Sequence, residues 1–122
     1  MGIKTKSIYE PKDSKDGLRV LVTRYYPRGV KKDRFDRWEK ELSPSVLLLR
    51  AYKDGKKTWE ELSSGFLAEV EANPAALEAL SRLRKESRKG TVTLLCYEKA
   101  RDPCHRTIVA DLIKRRKGTT GR

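Results

Sequence analysis

The sequence predicts an α/β fold, a small, mainly parallel sheet flanked by helices in a single domain, on three observations. Two short runs, Leu18-Arg19-Val20-Leu21-Val22-Thr23 and Thr91-Val92-Thr93-Leu94-Leu95, are apolar or β-branched almost throughout, as in strands covered on both faces. Several segments with helical spacing and capping residues lie between them, an order that favours parallel pairing. At 122 residues the chain is one domain in size and buries a core without staples.

In chain order, residues 3–9 lean towards β structure, and Glu10-Pro11-Lys12-Asp13-Ser14-Lys15-Asp16-Gly17 is a turn-rich loop. The strand at residues 18–23 empties into Arg24-Tyr25-Tyr26-Pro27-Arg28-Gly29, where Pro27 forbids further pairing and Gly29 permits a sharp turn. Asp33 is expected to cap a short helix with Phe35, Trp38 and Leu42 on one face. Ser43-Pro44 has the N-cap and first-turn pattern of a further helix over residues 46–52. Thr58-Trp59-Glu60-Glu61 fits a capping box ahead of Leu62, Phe66, Leu67 and Val70 at helical spacing. Asn73-Pro74 starts another helix, with Ala76, Leu77, Leu80 and Leu83 inward and a basic end before Gly90. Asp102-Pro103 then reads as N-cap and first residue of a last helix, whose apolar face is Ile108, Val109, Leu112 and Ile113. The domain is predicted to span residues 1–113. Residues 114–122 carry five positive charges and no acid, the composition of a flexible basic tail.

Composition narrows the function classes. Hydrophobic residues make up 37% and charged residues 38%, and no apolar run approaches the roughly 18 residues of a membrane span. The N-terminus lacks the apolar core of a signal peptide, so a cytoplasmic location without membrane partners is expected. Two cysteines are too few for a disulfide framework and default to thiols in a reducing compartment. The net charge of +12 is concentrated at the ends, +6 over residues 1–40 and +5 over residues 114–122. Such a field attracts polyanions, which makes nucleic acid held by the basic termini one partner class.

Chemistry is concentrated in Cys96-Tyr97-Glu98-Lys99 and Cys104-His105-Arg106, which hold both cysteines and the sole histidine. In open α/β sheets ligands sit beyond the carboxyl ends of the strands. Parallel pairing of the two apolar strands brings Arg24 and Arg28 to the same edge as Cys96, Glu98, Lys99 and Arg106. Arginine forks and a helix N-terminus together suit an oxyanion, although the same arginines can serve only as partners of Glu98, Asp102 or Asp111. Cys104, at a positive helix end beside His105 and Arg106, is the nucleophile candidate, with inert packing beside Ile108 as the alternative. His105 is the candidate acid/base group or else a satisfied, partly buried imidazole. No metal is predicted: neighbouring helical residues diverge by about 100°, and the paired short spacings of structural zinc sites are absent. A Cys96–Cys104 disulfide, from strand end to helix start, is geometrically conceivable.

Arg19-Val20-Leu21-Val22-Thr23-Arg24-Tyr25-Tyr26-Pro27-Arg28-Gly29, with residues 92–99 and Cys104-His105-Arg106, resembles the domain of unknown function 488 family of YeaO-like proteins. Leu42-Ser43-Pro44-Ser45 and Trp59-Glu60-Glu61 also match, so the likeness covers nearly the whole chain. The commonest family form has Asp where Thr23 stands and often His where Pro103 stands. The resemblance implies a small α/β fold and groups Arg24, Arg28, Cys96, Glu98, Lys99, Cys104, His105 and Arg106 in one constellation; it implies no particular activity or cofactor. The expected function is an enzyme or binding protein for a phosphorylated or nucleotide-like small molecule. The alternatives are a nucleic-acid-binding module and a thiol-based redox or sulfur-handling protein.

Overall fold

The computed structural model describes residues 2–97 and 104–119, with side chains through Lys114. Four parallel strands form one sheet in the order β1-β4-β2-β3: β1 (Gly2–Ser7), β2 (Leu18–Leu21), β3 (Arg37–Trp38) and β4 (Thr91–Cys96). The two apolar runs are central neighbours, Leu18 beside Val92 and Leu21 beside Leu95. Because successive side chains alternate between faces, each central strand supplies two cores. Val20, Val22, Val92 and Leu94 point into the main core. Leu21 and Leu95 join Ile8 on the opposite face, beneath Val30, Phe35 and Trp38.

Helices α1 (Val46–Lys53), α2 (Trp59–Glu71), α3 (Pro74–Lys89) and α4 (His105–Thr119) complete the fold. Leu48, Phe66, Leu80, Leu83, Val109 and Ile113 pack on the face holding Val20 and Leu94. The Thr58–Glu61 capping box forms as expected, and Asn73 caps α3 with Pro74 in its first turn. Ser45, not Ser43, caps α1, accepting from the Leu48 N–H; Ser43 is extended and leads into it. The last helix begins at His105, with Cys104 immediately before it, and its backbone stays helical to Thr119. The expected Asp102-Pro103 cap lies outside the described residues.

The helix expected to carry Phe35, Trp38 and Leu42 is absent. In its place come two single 3₁₀ turns, Lys32–Arg34 and Lys40–Leu42, around the short strand β3. The cause is the free edge of β2: Asp36 N–H donates to Arg19 O and Glu39 N–H to Leu21 O, each at 2.8 Å. An extended path also lets Phe35 and Trp38 reach one core while Leu42 reaches the other, which one helical stripe cannot do.

An ionic group with a buried centre, Asp16 and Arg19, unforeseen from sequence, sits on the sheet face that carries Leu21 and Leu95. Asp16 contacts the buried Arg19 guanidinium and the Lys4 and Lys6 ammonium groups, both lysines at 3.0 Å. Burial alone would raise the Asp16 carboxyl, but hydrogen bonds from Lys6, Lys4 and the Asp13 backbone outweigh it and hold the carboxyl well below the usual range. Gly17 makes the close approach possible: its φ is +64°, and a Cβ there would fall 2.2 Å from Thr91 O.

Candidate functional site

Pairing of β2 with β4 continues one step beyond the strand, Val22 N–H donating to Leu95 O at 3.0 Å. The chain then turns sharply. The Thr23 hydroxyl donates to Tyr25 O at 2.8 Å, and Thr23 O accepts the Trp38 indole N–H at 2.8 Å. Arg24 crosses to the entry of α1, its guanidinium donating to Ser43 O at 2.7 Å and Pro44 O at 3.1 Å. From the end of β4, the Tyr97 hydroxyl donates to Tyr25 O. These contacts enclose a cavity of about 360 Å³ at the carboxyl ends of β2 and β4, walled by Thr23, Arg24 and Tyr25, by Ser43, by the α1 residues Val46, Leu49, Arg50 and Lys53 with Asp54, and by Tyr97 and His105. The size is that of a small-molecule site, and the place is where open parallel sheets bind ligands.

Among the described residues the wall is electropositive, with Arg24, Arg50 and Lys53 set against the single carboxylate of Asp54. Arg24 is committed to the Ser43 and Pro44 carbonyls. Arg50 and Lys53 are exposed, and no hydrogen bond or ion pair engages their side chains among the described residues. Ser43 adds a buried hydroxyl that has no hydrogen-bond partner among the described residues, an arrangement that is costly unless something else supplies one.

His105 forms the inner wall. Its Nε2–H donates to Val22 O, which leaves Nδ1 as the acceptor, 3.7 Å from Sγ of Cys96 and 3.7 Å from Sγ of Cys104. The ring meets Phe66 edge-on at 5.8 Å. Burial, with Arg106 and Arg24 adding to it, pushes the His105 pKa down to about 4 against the opposing Val22 hydrogen bond. At neutral pH it is therefore an uncharged imidazole. Cys96 and Cys104 are both buried and joined as a disulfide.

Of the residues singled out from sequence, Arg24 and His105 line the cavity, and Cys96 and Cys104 stand behind His105. Arg106 is buried and is not part of the wall. Arg28 is exposed, its carbonyl accepting the Tyr9 hydroxyl at 2.9 Å, and it does not line the cavity either. Glu98 and Lys99 lie outside the described residues. Sequence reasoning missed Arg50, Lys53 and Asp54. Their i, i+3, i+4 spacing at the end of α1, Arg50 and Lys53 on the helix and Asp54 at its C-cap, was the available signal on a helix read only for its apolar residues.

A family model described as the active DUF488-N3 subclade matches residues 3–117. The chain is 32% identical over 116 residues to the uncharacterized protein YeaO of Escherichia coli, covering 93% of this chain and 98% of the relative. It is 30% identical over 116 residues to uncharacterized proteins of Mycobacterium bovis and Mycobacterium tuberculosis, covering 93% of this chain and 95% of each relative. No solved structure matches it. Among the described residues no helix is long and apolar enough to cross a membrane.

Proposed function

This chain belongs to the DUF488-N3 family, and from that premise we propose that it binds a small phosphorylated or nucleotide-like molecule in the cavity at the carboxyl ends of β2 and β4. The observation that carries the reading is the uncommitted cationic pair Arg50 and Lys53 on the rim of a cavity that has one carboxylate among the described residues. The unpartnered Ser43 hydroxyl and the Tyr25 and Tyr97 rings suit the same ligand, the first as a polar contact and the rings as flat apolar walls. His105 is in place to accept a proton at most weakly, because burial keeps it neutral.

The test is calorimetric titration of the protein with a nucleoside monophosphate, beside the Arg50→Ala/Lys53→Ala double variant. Exposed charge contacts are each worth up to about 1 kcal/mol, so the double variant should bind about tenfold more weakly with unchanged thermal stability. Equal affinity in both proteins would remove the cationic rim from the account.

A second reading, thiol-based redox or sulfur handling, is favoured by the Cys96–Cys104 disulfide held against a cavity-lining histidine. Alkylation after reduction separates it from inert packing. A reactive thiol is modified at neutral pH in the folded protein, whereas a packing thiol waits for unfolding.

A further inference from the structure

We propose that Cys96, Cys104 and His105, once the disulfide is reduced, form a binding site for a zinc-like divalent metal ion. Among the described residues their donor atoms all lie within 4.8 Å of one another, and all three residues are buried. The two nitrogen-to-sulfur separations, both 3.7 Å from His105 Nδ1, are close to the edge of a tetrahedron. Metal–sulfur bonds of about 2.3 Å and metal–nitrogen bonds of about 2.1 Å at the tetrahedral angle put sulfur and nitrogen about 3.6 Å apart.

The second observation is independent of those distances. His105 donates Nε2–H to the Val22 carbonyl, the outer hydrogen bond that fixes the ring and tautomer of metal-bound histidines. Nδ1 is thereby left as the unprotonated ring nitrogen, with Cys104 Sγ at 3.7 Å and with Cys96 Sγ nearly equidistant from the two ring nitrogens, at 3.7 Å from Nδ1 and 3.8 Å from Nε2. The sequence-based objection, that adjacent helical residues diverge, loses its force because Cys104 precedes the helix and only His105 is in it. Two thiolates and a divalent ion sum to no net charge, which limits the cost of burial. Three protein donors leave one coordination position, as in catalytic rather than structural zinc sites, and His105 is shared with the cavity wall.

Disulfide and metal are alternative states of the same sulfurs. A dithiol reductant transfers two electrons and two protons to the Cys96–Cys104 bond, leaving two thiols and its own disulfide. Metal binding then releases the two thiol protons. The inference does not depend on what the cavity binds.

The full-length protein, reduced and kept anaerobic, is titrated with cobalt(II) alone and then with zinc(II). The expected result is an equimolar cobalt complex with thiolate-to-metal charge-transfer and tetrahedral ligand-field bands, displaced by zinc. The oxidised protein should give no such bands. Cys96→Ser should lose about half of the charge-transfer intensity, and His105→Ala should bind at least tenfold more weakly. If a variant fails to fold, zinc-edge X-ray absorption of the reduced wild type decides, with two sulfur and one imidazole nitrogen neighbour expected. Absence of thiolate bands in the reduced protein, equal binding by the oxidised protein, unchanged affinity in folded His105→Ala, or an absorption edge without sulfur neighbours would each overturn the proposal.

Discussion

Replacing Asp16 with alanine removes the buried carboxylate that Arg19, Lys4 and Lys6 share and leaves Arg19, 1% exposed, without that counter-charge. Losing one partner of a buried ion pair costs about 3 to 5 kcal/mol. The contribution of Lys4, whose side chain is 42% exposed, is small by comparison. Asp16 also accepts the Asp13 N–H at 3.1 Å, so the turn that leads into β2 loses its clamp as well. With a urea m-value of about 1 to 3 kcal/mol/M, the unfolding midpoint should fall by about 2 M at neutral pH. The pH dependence gives a second reading. A carboxyl depressed in the folded state stabilises at pH values above its unfolded pKa, 3.8, and that contribution is lost as pH falls towards the folded value. Wild type should therefore lose stability steeply below about pH 4, and Asp16→Ala should show a flatter acid limb. A loss under about 1 kcal/mol at neutral pH, or identical acid limbs, would mean that water solvates the group and that the sheet face is not closed.

Gly17→Ala should destabilise by about 2 kcal/mol or more, since a Cβ there meets Thr91 O at 2.2 Å in a left-handed backbone; urea unfolding reads it, and a neutral effect would contradict the close packing of this turn on β4. His105 should titrate near pH 4 with the proton on Nε2 in the neutral form, as read by imidazole nitrogen shifts. Because its folded pKa lies below the unfolded value, the unfolded state binds more protons between about pH 4 and 6.5, so stability rises with pH across that window. A folded-state pKa of about 6 or above would place the ring in contact with solvent.

What was legible in the sequence was local. The strand at Thr91–Cys96 announces itself because every one of its positions is β-branched, apolar or cysteine, and Thr58 with Glu61 states its own cap. Strand β3 could not be read, because two residues carry no periodicity and are extended only through hydrogen bonds to Arg19 and Leu21. Asp16 looked like one more loop acid; its burial depends on Lys4, Lys6 and Arg19, which meet it only once β1 and β2 have taken their places around β4. The site divides the same way. Parallel pairing was enough to bring Arg24 to the edge where His105 stands. The rim cations Arg50 and Lys53 come from α1, a helix whose docking no spacing rule locates, whereas Arg106, conspicuous beside His105 in sequence, is turned into the interior.

The most direct measurement of the central claim is a titration of isotope-labelled protein with a nucleoside monophosphate, followed by backbone amide NMR shifts. The account predicts the largest changes at Tyr25, Arg50, Lys53 and Tyr97, the residues around the cavity. Shifts confined to the basic end of α3, at Arg84 and Arg88 beside Lys114, would contradict it, as would a spectrum that does not move.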